Sequence, residues 1–143
     1  MEERNGTMVQ IHLETTTIQD GKSQDYVLDV DGQLVEIGNT LYLRYKEDND
    51  GKKVPVTIKI LPSGDLKITR TAENKSQLLF SQGKRVSAVY RTPYGAVDIE
   101  TVTPSMEISL FDNPLRGDIK VDYLLYGGSE LLGKYNISLQ FTV

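Results

Sequence analysis

Cysteine and tryptophan are absent from the 143 residues, and histidine occurs once. Without cysteine there is no disulfide, no thiolate nucleophile and no Cys-ligated metal. A single histidine leaves no second imidazole to build a His-based metal site. No apolar run approaches the roughly 18 to 20 residues of a membrane helix. The opening "MEERNGT" is polar and charged, with no apolar segment of the kind a secretion signal carries. Sixteen basic residues against twenty acidic ones give a formal charge of −4, and the basic residues stand singly or in pairs, as at Lys52–Lys53 and Lys84–Arg85. No basic stripe is left for nucleic acid or an anionic membrane surface. A cytoplasmic protein is expected, with neither nucleic acid nor membrane as partner.

What the chain does have is alternation. "VPVTIKI" sets Val54, Val56, Ile58 and Ile60 on one face against Pro55, Thr57 and Lys59 on the other. "GDIKVDYLLY" repeats the rhythm with Ile119, Val121, Tyr123 and Leu125, and "YNISLQFTV" with Tyr135, Ile137, Leu139, Phe141 and Val143. Period two over this length means strands with one buried and one wet face. Turn signals such as "DGKS", "EDNDGKK", "PSGD", "SQGK", "TPYG" and "YGGSE" separate them at hairpin intervals. About ten strands follow, with little or no room for helix. A meander of that length with one apolar face closes on itself and so removes its edges. The expected fold is an antiparallel up-and-down β-barrel of about 8–10 strands, with a two-sheet sandwich as the alternative. Residues 7–143 form one domain, and residues 1–6 are expected to be disordered.

The residues that carry chemistry are few. His12 shares the polar face of the first strand with Gln10 and Glu14. A histidine and glutamate two apart could serve as base and orienter, but an exposed sheet surface explains them better. "KEDNDGKK" resembles a calcium loop only in Asp48, Asp50 and Gly51; Lys46 and Thr57 stand where ligands would be needed. A charged hairpin turn is expected there. With no secretion signal seen, the sequons at Asn74 and Asn136 are expected to be chance matches. Glu36 falls where the phase is ambiguous, near a bulge expected at Asp31–Gly32, and Glu100 lies on a wet face. No catalytic residue, metal site or cofactor is expected.

"GDLKITRTA" poses the sharper question, because Leu66 and Ile68 put Arg70 on the inward face. Thr15, Thr17, Tyr45, Tyr90, Thr92, Thr101, Thr103, Tyr123 and Tyr135 share that phase. An arginine among tyrosine and threonine hydroxyls offers a fork of donors that matches a carboxylate or phosphate. Arg70, Tyr90, Tyr45, Thr101, Thr103 and Tyr123 are therefore the candidate ligand site, at the polar end of the barrel. Arg70 has a structural alternative: its head can reach water at the barrel mouth or donate to free carbonyls at strand ends. Among the inward positions only Ala88 is small, so a closed interior is expected, with room for one small ligand at most.

"FSQGKRVSAVYRTPYGAVDIETVTPSMEI", residues 80–108, resembles the YwiB-like family of small bacterial proteins of unknown function. "LYLRY" at 41–45, "GDLKITR" at 64–70 and "GDIKVDY" at 117–123 extend the resemblance over most of the chain. The resemblance implies a calycin-like (lipocalin-like) barrel in a bacterial cytoplasm, and it brings no catalytic residue with it. Calycin-like barrels often hold small apolar molecules, but "DGKS" between the first two strands has no room for a helical lid. Two functions compete. One is a non-catalytic barrel binding a small, partly anionic molecule. The other is an interaction module, as a homodimer, acting through outward apolar residues Leu124, Tyr126, Val102, Val89 and Tyr42 beside Arg44.

Overall fold

The computed structural model describes residues 6–49, 51–71, 75–92 and 94–143, and among them the side chains of all but Asn49 and residues 89–92. Ten antiparallel strands follow one another: β1 (Thr7–Gln19), β2 (Lys22–Ile37), β3 (Thr40–Asn49), β4 (Lys52–Ile60) and β5 (Leu66–Thr71). The remainder are β6 (Lys75–Phe80), β7 (Arg85–Thr92), β8 (Gly95–Phe111), β9 (Arg116–Gly127) and β10 (Glu130–Thr142). Each strand pairs with its neighbours in sequence, and β1 closes the barrel against β10. No helix occurs among the described residues. The expected disorder of residues 1–6 lies, for 1–5, outside the described residues.

Local chemistry sets the register. Asp20 and Gly21 both have positive φ, 51° and 73°, as a two-residue hairpin turn matched to strand twist requires. That turn fixes each β1 residue opposite its β2 partner, from Gln19↔Lys22 to Thr7↔Leu34. Alternation then delivers the core. Val54, Val56, Ile58 and Ile60 are buried, as are Ile119, Val121 and Tyr123 and the trio Ile137, Leu139 and Phe141. Phe80, Leu43 and Leu66 complete a packed centre, each such side chain contributing about 1.5–3 kcal/mol by leaving water. Val143, in phase with this row, lies beyond the last strand and is exposed.

The wall has two thin places. The β2–β3 ladder runs only from Ile37↔Thr40 to Gln33↔Arg44, although both strands continue past it. Gly32 is buried at the point of divergence, and a Cβ there would meet the Arg44 carbonyl oxygen at 2.8 Å. The bulge expected at Asp31–Gly32 is not there, because β1 and β2 stay in step through Gln10↔Asp31 and Val9↔Gly32; the ladder to β3 simply ends at Gln33, and the consecutive Leu34 and Val35 are both buried. Between β6 and β7 a single bridge among the described residues, Ser76↔Tyr90, joins the sheet. Beyond it the chain at 81–84 bonds to β8 instead, with Gly83 N–H donating to the Thr103 carbonyl at 2.7 Å. The barrel is thus nearly closed, as two meanders, β3–β6 and β7 through β10 to β2, joined at two seams.

Candidate functional site

The arginine of "GDLKITRTA" does face inward, and its partner comes from two strands away. Arg70 on β5 lies opposite Val56 on β4, which lies opposite Tyr45 on β3. Glu47, two residues beyond Tyr45 and opposite Val54, shares the inward face. Its carboxylate spans β4 to receive Arg70 Nε at 3.5 Å and Nη2 at 3.4 Å. The arginine side chain keeps 36% of its exposure and the glutamate 17%. This is a mouth rather than a sealed core.

Tyr45 and Tyr123 flank the pair. Burial pushes the Tyr45 hydroxyl well above its ordinary pKa, Glu47 adds to the effect, and the Arg70 charge opposes it. Burial does the same to Tyr123, helped by Tyr135 and opposed by Arg70. Both phenols therefore stay neutral donors at physiological pH. For Arg70, burial works against the charge, but Glu47 and the neighbouring tyrosines outweigh it and raise its pKa. Tyr123 is held by its rings: it stacks on Tyr135 at 4.8 Å and tilts against Phe80 at 4.5 Å. Tyr135 in turn accepts a hydrogen bond from Gln19 Nε2 at 2.7 Å. Tyr26 on β2, half exposed, completes the mouth; burial and then Glu47 raise its pKa, again against Arg70.

The other expected residues divide. The Tyr90 backbone continues the row Tyr45–Val56–Arg70–Ser76–Tyr90, while its side chain, like those of Val89 and Thr92, lies outside the described residues. Thr101 and Thr103 are buried, as expected, but they sit at the β6–β8 seam. Thr101 Oγ1 donates to the Leu79 carbonyl at 2.6 Å, standing in for the strand that β6 lacks there. Thr103 Oγ1 is fully buried with no hydrogen-bond partner.

Besides Tyr26, two residues escaped the sequence. Glu47 was absorbed into the turn signal "EDNDGKK", although its phase with Leu43 and Tyr45 marked it as inward. Asp29 faces His12 across β1 and β2 and receives Nδ1 at 2.5 Å, while Nε2 lies 3.1 Å from Glu14. Their carboxylates raise the His12 pKa, Asp29 first. The two-residue turn at Asp20–Gly21 held that signal, since it pairs positions whose numbers sum to 41 (12 + 29, as 19 + 22).

Elsewhere the polar surface is ordinary. Asp48 accepts from Gly51 N–H at 3.2 Å and pairs with Lys53 at 3.5 Å, which makes the calcium-like segment a charged turn; Asp50 lies outside the described residues. Asn136 of the second sequon donates to Asp122, and Asn74 of the first lies outside the described residues. Among the described residues no group of three acidic or histidine side chains is arranged to hold a metal. Of the outward apolar residues, Tyr42 has Arg44 and Lys59 each 5.4 Å from its ring centre. Tyr126 lies under Arg85, which also bonds Glu100. No helix among the described residues is long and apolar enough to cross a membrane.

Ten antiparallel strands, a packed centre and one tyrosine-rich polar end define an all-β barrel protein. The family model for a domain of unknown function, DUF1934, matches residues 11–139, and the chain belongs to that family. An uncharacterised β-barrel protein of Bacillus subtilis (strain 168), YwiB, is 24% identical over 135 residues, covering 94% of this chain and 93% of its own. The crystal structure of the YwiB protein from Bacillus subtilis aligns with a TM-score of 0.82 and 22% identity over 98% of this chain and 94% of that one. That likeness shows a shared fold.

Proposed function

We propose that the barrel is a non-catalytic binding protein that takes a small molecule through an anionic group at its Arg70 end. One observation carries the reading: the Arg70–Glu47 contacts, at 3.4 and 3.5 Å, are longer than the roughly 2.7–2.9 Å of a strong charge-assisted bond. A guanidinium has five donors, and the loose pair engages two of its nitrogens. The remaining donors, with the neutral hydroxyls of Tyr45 and Tyr123 nearby, suit a carboxylate or phosphate. Glu47 then acts as an internal competitor that the ligand displaces from Arg70. The packed centre supports a ligand held at the mouth, not a tail threaded through the barrel. Kinship with calycin-like carriers and a cytoplasmic location belong to the same proposal.

Native mass spectrometry of the protein from bacterial cells looks for a co-purifying ligand, and titration calorimetry with inorganic phosphate and acetate measures the site directly. Glu47→Gln should tighten anion binding and Arg70→Met abolish it. Binding that ignores both substitutions would refute the assignment. A homodimer through the outward apolar residues has weaker support, because cations cover Tyr42 and Tyr126.

A further inference from the structure

The β2–β3 seam leaves one long strand edge bare. From Lys22 to Asp31, β2 has β1 on one side and, among the described residues, no strand on the other. Bare edges offer a row of unpaired N–H and C=O groups, and an extended chain can add to them. This edge has two distinct faces. Leu28 and Val30 pack against the core, and Tyr26 shares their phase. Asp25, Asp29 and Asp31 lie on the outer face with Val27, which is 57% exposed. Thr16 bonds Asp25 and His12 bonds Asp29. Glu14 stands behind on β1, and Lys46 and Asp48 lie on β3 across the gap.

Charge selects the occupant. Three aspartates on one face of the edge repel an identical edge: symmetric pairing centred on Val27 sets Asp25 against Asp29, and centred on Leu28 it sets Asp25 against Asp31. A segment with lysine or arginine at alternate positions meets those same aspartates favourably. Its intervening apolar side chains continue the row of Tyr26, Leu28 and Val30. We infer that residues 22–31 of β2 form a docking edge for an extended, alternately basic and apolar segment of another polypeptide, added as a further antiparallel strand. The edge meets the anion site at Tyr26, but the inference rests on the unpaired backbone of residues 22–31 and does not depend on Arg70.

The test uses a fluorescein-labelled decapeptide alternating lysine and valine, titrated with the full chain and read by anisotropy, with amide shifts of residues 23–31 followed by NMR. Saturable binding with shifts confined to β2 and the facing end of β3 is expected. N-methylation of alternate peptide amides should weaken it by about tenfold or more, since it removes backbone donors. Asp25→Lys/Asp31→Lys, checked for wild-type thermal stability, should weaken it similarly. Arg70→Met should bind the peptide as wild type does, which separates this edge from the anion site. Absence of binding, equal binding of the N-methylated peptide, or dimerisation of the chain alone through β2 would each overturn the inference.

Discussion

Replacing Arg70 by methionine keeps much of the side chain's length and removes its charge, leaving Glu47 without its partner across β4. The cost lies between two limits. An exposed ion pair contributes about 0.2–1 kcal/mol, whereas deleting one member of a fully buried pair costs about 3–5 kcal/mol. Arg70 keeps 36% of its exposure and Glu47 17%, and both contacts are long. Water therefore screens the abandoned carboxylate, and a loss of about 1–2 kcal/mol is expected. Glu47→Gln should cost less, about 0.5–1 kcal/mol, because the amide oxygen still accepts from the guanidinium. The double variant should lose less than the sum of the two, by about 0.5–1 kcal/mol, as contacting residues do. Urea unfolding at neutral pH measures all three. Strictly additive losses, or an Arg70→Met variant within about 0.3 kcal/mol of wild type, would show that the pair does not hold the mouth together.

Other expectations follow from particular contacts. Gly32→Ala should lose about 1–3 kcal/mol by urea unfolding, because its new Cβ meets the Arg44 carbonyl at 2.8 Å and backbone cannot easily give way; a neutral result would place the strand divergence elsewhere. Thr101→Val should cost about 1–3 kcal/mol by orphaning the Leu79 carbonyl, while Thr103→Val, which removes an already unpartnered hydroxyl, should be neutral or stabilising. Equal effects of the two valine substitutions would contradict the seam's hydrogen bonding. His12 should titrate above 6.5 by NMR, and Asp29→Asn should bring it down. Because the folded pKa is the higher one, this contribution to stability is fully present below the unfolded value and fades as pH rises through the folded value. A wild-type midpoint at or below 6.5 would refute the His12–Asp29 contact.

Most of the barrel was legible because alternation and turn chemistry agree on the same strands. The inward phase of Arg70 could be read from Leu66 and Ile68, and that of Thr101 and Thr103 likewise. Phase tells which way a side chain points but not what it meets. Thr101 proved to be spent on a carbonyl at a seam, and seams are invisible to periodicity, since a strand alternates in the same way whether or not its neighbour stays in register. Glu47 was hidden for another reason: β3 runs on to Asn49 through residues whose composition reads as turn. Tyr26 was missed because its distance in sequence from Glu47 and Arg70 is closed only when the barrel forms.

The most direct test of the Arg70 mouth is the side-chain Nε–H resonance of Arg70, assigned by its loss in Arg70→Met and followed by NMR while inorganic phosphate is added. An anion site at Arg70 requires a saturable shift in the wild type, reached at lower phosphate in Glu47→Gln. A resonance that does not move in either protein would contradict it and leave Arg70 as architecture alone.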